Sequence, residues 1–85
     1  GREIKGGLAD SLNNLGTTLA ILGDYKNAYS YMHQAEKLYR ELVQQGTPIV
    51  PALAKCLFLL SDVLVKLGQH TKARKMKREV QALSS

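Results

Sequence analysis

Leucines at Leu8, Leu12, Leu15, Leu19 and Leu22 follow one another in steps of three and four residues. Such steps line side chains along one stripe of a helix, so the spacing predicts a first helix over about 8–22. The mixed-charge opening before it, Arg2, Glu3 and Lys5 followed by Gly6 and Gly7, reads as a frayed end or the remnant of a preceding helix. Gly23 ends the stripe, because glycine reaches positive φ without a Cβ clash and is favoured just past a helix. Asp24 then offers a carboxylate to the free N–H groups of a second helix. Beyond it, Ala28, Met32 (or Tyr31), Ala35, Leu38 and Leu42 form a facing stripe and predict a helix over about 25–45. Small residues at Gly16, Ala28 and Ala35 let the two axes approach closely.

The one clear break is Gln44-Gln45-Gly46-Thr47-Pro48. It reads as a glycine stop at Gly46, an N-cap at Thr47 and a first helical residue at Pro48, with Pro51 still inside the first turn, where its missing N–H costs nothing. A third helix is therefore expected over about 48–67. Leu53, Leu57, Leu60, Leu64 and Leu67 make its stripe, which leaves Phe58, Leu59 and Val65 over. A helix apolar on more than one face is covered on more than one face, either by a neighbouring element or by a ligand. A fourth helix follows over about 70–83, with Ala73, Met76, Val80 and Leu83 on its inner side.

Sliding the chain along itself by 45 residues pairs Leu8 with Leu53, Leu12 with Leu57, Leu15 with Leu60, Leu19 with Leu64, Leu22 with Leu67, Gly23 with Gly68, Ala28 with Ala73 and Leu38 with Leu83. A fixed period of this kind marks stacked supersecondary units. The run L-x2-LG-x2-L…LGDY-x2-A-x6-A from Leu12 to Ala35 resembles the tetratricopeptide repeat, with Leu12 where that family often has tryptophan. The long period and the YRELVQQGTPIVPALA connection resemble its extended-repeat branch, found in kinesin light chains and signalling-protein arrays. The second unit departs from the pattern at Ser61, His70 and Lys77, which stand where glycine, tyrosine and a large apolar residue are usual. The resemblance implies an all-α fold of two antiparallel helical hairpins, about 8–45 and 48–83, stacked as a right-handed solenoid fragment within one domain, 1–85. The chain opens on Gly1 and holds fewer repeats than a solenoid usually needs, so we expect it to be a piece of a longer array.

The resemblance also implies that positions off the leucine stripe of each first helix line a concave groove. In the first helix these are Asp10, Asn13, Asn14, Thr17 and Ala20, of which Asn13, Asn14 and Thr17 are the polar binding candidates, their side chains offering donors and acceptors to a bound backbone. In the third they are Lys55, Phe58, Leu59 and Asp62. Phe58 matches Asn13 on the 45-residue shift and is placed on the groove side, bracketed by Lys55 and Asp62. The lysine, arginine and asparagine set with which some members of the family clamp a C-terminal carboxylate is missing from these positions. The expected function is a protein–protein interaction module that holds an extended peptide or a partner helix.

Charge adds a second possibility. Of a formal net +5, the last helix carries most: Lys72, Arg74, Lys75, Lys77 and Arg78 stand against Glu79 alone. A patch of this sign can meet nucleic acid, an anionic membrane or an acidic protein surface. It can equally be a solvated helix face, and no phosphate loop or RNA-binding aromatic motif accompanies it. A third reading is self-association through repeat ends that lack their neighbours.

Candidate chemistry is sparse. His33 and His70 lie far apart without metal-ligand spacing, the carboxylates fall mostly on polar faces, and Cys56 sits inside an apolar helix without an obvious basic partner. No enzyme activity, cofactor or metal is expected. Tyr25, Tyr29, Tyr31 and Tyr39 read as packing residues with wet hydroxyls and not as a base-stacking platform, and His33 reads as solvated. The sequence shows no apolar run long enough for a membrane span and no signal-peptide core. Together with the single cysteine, this leads us to expect cytoplasmic or nuclear residence.

Overall fold

In the computed structural model, which describes residues 2–84, four α-helices follow one another: α1 (Arg2–Ile21), α2 (Tyr25–Gln44), α3 (Val50–Lys66) and α4 (His70–Ser84). The fold is all-α, two antiparallel hairpins packed side by side. Each hairpin closes through a glycine at positive φ, Gly23 (86°) and Gly68 (80°), and Gly46 (85°) ends α2 in the same way. The hydrogen bonds are alike at all three. The glycine N–H returns to the carbonyl three residues earlier and the next residue's N–H to the one five earlier, as in Gly23 to Ala20 at 3.0 Å and Asp24 to Leu19 at 2.9 Å. This pattern satisfies carbonyls that the helix end leaves open. Asp24 caps α2 as expected, its carboxylate accepting from Asn27 N at 3.3 Å and Asn27 Nδ2 at 2.8 Å.

Two helix starts differ from the sequence reading. α1 begins at Arg2, not near Leu8. Lys5 pairs with Glu41 across the hairpin at 3.5 Å, and extending an existing helix adds a hydrogen bond per residue at little nucleation cost, so Gly6 and Gly7 are carried along. α3 begins later than Pro48, with Ile49 as its N-cap and Pro51 in its first turn. Thr47 is not a cap because it is already committed to the end of α2: its N–H bonds Leu42 O at 2.9 Å. Its carbonyl accepts from Ile49 N at 2.8 Å across Pro48, a tight turn that postpones the helix.

α2 is the central element, packed against α1 on one side and α3 on the other. Ala28, Met32, Ala35, Tyr39 and Leu42 from α2 meet Ala9 of α1 and Leu53, Cys56, Leu57, Leu60, Val63 and Leu64 of α3, all buried. The leucine stripe of α1 needs correction. Leu12 and Leu19 pack on the core, but Leu8, Leu15 and Leu22 are 51%, 43% and 74% exposed. The buried side of α1 is instead built from Ala9, Asn13 and Gly16. Their counterparts explain the difference, since α2 covers Leu53 and Leu60, whereas no described helix lies on that side of α1.

Two aromatic and histidine assignments change as well. Tyr39 is buried, and its hydroxyl donates to the Asp10 carboxylate. His33 is only half-buried, stacked on Tyr29 with ring centroids 5.5 Å apart, and its Nδ1 lies 3.0 Å from Glu36 Oε1.

Candidate functional site

The polar positions of α1 and α3 open onto two hollows between these helices. The first, about 280 Å³, is lined by Asp10, Asn13 and Asn14 of α1, Tyr39 of α2, and Ala52 and Lys55 of α3. The second, about 260 Å³, is lined by Thr17, Ala20 and Ile21 of α1, Tyr25 and Met32 of α2, and Leu59, Asp62, Val63 and Lys66 of α3. Successive lining residues on each helix are never more than four apart, so the hollows lie one beyond the other along a single α1–α3 groove. The first is polar and the second has an apolar floor. Each carries one lysine and one carboxylate on its wall, Lys55 with Asp10 and Lys66 with Asp62, so the groove favours neither sign.

Asn13 is the unusual member. It is 6% exposed, and its Oδ1 is buried without a hydrogen-bond partner among the described residues. The Tyr39 hydroxyl, which lines the same hollow, donates to Asp10. An orphaned buried acceptor costs on the order of 1–3 kcal/mol, so its survival next to a polar hollow needs a reason. Thr17 Oγ donates to the Asn13 carbonyl at 2.8 Å, which leaves the hydroxyl oxygen free to accept at the junction of the hollows.

The structure thus brings Asn13, Asn14, Thr17, Lys55, Leu59 and Asp62 to one groove. Phe58 does not join them. It lies about 100° round α3 from Leu59 but only about 40–60° from Asp62 and Lys55, on the edge of that face turned toward α4, and lines a separate hollow of about 190 Å³ with Lys77, Val80 and Gln81 of α4. The 45-residue match to Asn13 is real, but Asn13 is covered by the following hairpin, whereas Phe58 is half exposed. Asp10 and Ala20, off-stripe positions of the first helix, also line the groove, whereas Tyr25 and Lys66 were missed. Helical spacing alone finds one of them, since Lys66 is four after Asp62.

Lys72, Arg74, Lys75, Lys77 and Arg78 are all exposed, and none makes an ion pair among the described residues. The acid beside them is turned away: Glu79 takes two hydrogen bonds from Arg40 of α2, at 2.6 and 2.9 Å. Those bonds hold its carboxyl below the usual range, and they push the Arg40 guanidinium further up.

No group of three metal-ligating side chains occurs among the described residues, and no helix among them is long and apolar enough to cross a membrane. Cys56 is free and fully buried, its Sγ donating to Met32 O at 3.5 Å. Burial, helped by the nearby Glu36 charge, pushes the thiol up to about 12. Burial and the bond to Asp10 likewise raise the Tyr39 hydroxyl. Both groups are therefore neutral in the fold while their unfolded counterparts ionise sooner. Their stabilising contribution is complete below the unfolded thiol value of ~8.5 and falls away as pH rises toward about 12. Urea midpoints should accordingly drop across that interval, and a thiol reagent should modify Cys56 only as fast as the chain opens. Rapid native-state modification would contradict the burial.

A sequence model described as tetratricopeptide repeat matches residues 7–84. Comparison with curated proteins gives no match, and comparison with solved structures gives none either. The match spans both hairpins and agrees with four helices packed in consecutive pairs. The chain belongs to the tetratricopeptide repeat family.

Proposed function

We propose that this chain holds an extended peptide or a partner helix of another protein in the α1–α3 groove, by binding alone and without catalysis. Tetratricopeptide repeats generally mediate protein–protein interaction, which supports the class of partner. The observation that carries the reading is the Asn13 side chain, buried with its Oδ1 unpaired beside a polar hollow. A ligand N–H reaching that acceptor removes a desolvation cost the free protein carries, so the bond is gained more fully than an exposed one. Asn14 and Lys55 present further polar groups in the same hollow, while Thr17, Leu59 and Asp62 surround the place of an apolar side chain. From Asn13 to Ile21 the helix rises ~12 Å, which an extended segment covers in about four residues. The two repeats, about 8–45 and 48–83, act as one unit in this reading.

The test is affinity capture from cell extract with wild type, Asn13→Ala combined with Leu59→Glu, and Phe58→Ala. Removing Asn13 deletes an unsatisfied acceptor, so that change alone should shift the melting temperature little. The groove double variant should lose the captured protein while circular dichroism stays helical, and Phe58→Ala should keep it. Capture that survives the double variant rejects the groove.

A further inference from the structure

We propose that the outer face of α3 and α4 is a second docking surface, and that its partner is an acidic amphipathic helix of another protein. The argument begins with the internal repeat. Asn13, Tyr29, Met32 and Glu36 in the first hairpin correspond on the 45-residue shift to Phe58, Arg74, Lys77 and Gln81 in the second. In the first hairpin three of these positions are buried, Asn13, Met32 and Glu36, and the following hairpin packs on that side. The backbone of this face is therefore shaped to receive helices.

Its chemistry has changed in the second hairpin. A tyrosine, a methionine and a glutamate are replaced by an arginine, a lysine and a glutamine, and Arg78 stands where His33 did. What remains apolar is the hollow of about 190 Å³ floored by Phe58 and Val80, with Lys77 and Gln81 on its rim. Glu79 cannot neutralise the neighbouring cations, because Arg40 holds both its oxygens. A single apolar side chain flanked by carboxylates one turn to either side matches this surface: the side chain enters the hollow, and the carboxylates meet Lys77 and the Arg74–Arg78 pair. The covered face already uses such a contact, in which Arg40 of one hairpin takes the carboxylate of the next.

Other anionic partners fit less well. A phosphate chain has no apolar group for the Phe58 hollow. A bilayer needs a row of apolar side chains free to enter it, whereas this face presents Phe58 and the edge of Val80 in one hollow, with Met76 and Leu83 of α4 packed against the core.

The experiment uses the 85-residue chain and a labelled, stapled four-turn peptide carrying one leucine with glutamates one turn before and after it. Saturable binding is expected, with chemical-shift changes centred on Phe58, Lys77, Val80 and Gln81. Replacing the peptide leucine by serine, or making Phe58→Ser, should weaken it at least ~10-fold, and so should Lys77→Glu with Arg78→Glu. Gln81→Glu provides a variant of equal shape that keeps the fold and repels the carboxylates, and it should weaken binding too. The groove variant Asn13→Ala with Leu59→Glu should bind the peptide unchanged. Absence of saturable binding overturns the proposal. So does a response in which duplex DNA or phosphatidylserine vesicles bind more tightly, lose binding on charge reversal and ignore Phe58→Ser, since that describes a general anion-binding face.

Discussion

Replacing Gly16 with alanine should destabilise the chain by about 1–3 kcal/mol, although the same change in an open helix is stabilising. Alanine is favoured over glycine in a helix interior by roughly 1 kcal/mol because it restricts the unfolded chain. At Gly16 that gain is outweighed. An added Cβ falls 2.6 Å from Met32 Cγ and 3.0 Å from the Ala28 carbonyl oxygen. Met32 is fully buried and cannot swing away, and the carbonyl belongs to the α2 backbone, so the two helices must separate. Separation opens the contact on which the first hairpin depends. Gly7, in the same helix with nothing within 4 Å of its Cβ, is the control, and Gly7→Ala should raise stability by about 0.5–1 kcal/mol. Gly16→Val, which adds bulk at the same point, should cost about 3 kcal/mol or more. Urea unfolding of the three variants decides the matter: equal or higher stability for Gly16→Ala would refute the close-approach argument.

Arg40→Met should lose about 3–4 kcal/mol, more than any other single change to the polar network. Arg40 donates to Glu36 through Nε at 2.9 Å, with Nη2 in ion-pair contact with it at 2.8 Å, and donates to Glu79 on α4 through Nη1 and Nη2. Glu36 is 6% exposed, so without Arg40 it becomes a buried charge supported only by His33. Glu79→Gln removes the other end of the network yet should cost only about 1 kcal/mol, because its side chain is 37% exposed and Arg40 keeps Glu36. The double variant Arg40→Met with Glu36→Leu removes the buried carboxylate together with its half-buried partner and should recover much of the loss. A cost for Arg40→Met no greater than that for Glu79→Gln would show that Glu36 does not depend on it. The network also predicts acid sensitivity. Because Glu79 titrates below its unfolded value, its contribution is complete above ~4.3 and vanishes as pH falls through the lower folded value. Glu79→Gln should flatten the stability curve there.

The two binding surfaces are separable. The α1–α3 groove carries no net sign and contains an orphaned amide, whereas the α3–α4 face is cationic around an apolar hollow. Salt should therefore weaken capture at the second far more than at the first.

Much of this architecture is legible from local signals. Gly23, Gly46 and Gly68 end their helices at positive φ, Asp24 caps α2, and the 45-residue period sets two like hairpins in order. These features depend on backbone sterics and on hydrogen bonds within a few residues, so the chain specifies them whatever its neighbours do. What tertiary structure decided is which side of each helix is covered. Leu8 and Leu53 look equivalent in the sequence, yet only Leu53 lies under α2. Phe58 and Asn13 are likewise matched, and packing sends them to different surfaces. Thr47 has the right chemistry for an N-cap but is taken by the end of α2. Glu36 and Arg40, four apart on one helix, can be paired from the sequence, but nothing in it joins Arg40 to Glu79, 39 residues on. Periodicity states only that a helix has an apolar side; burial also requires a partner, and the partner's position is a property of the assembled helices.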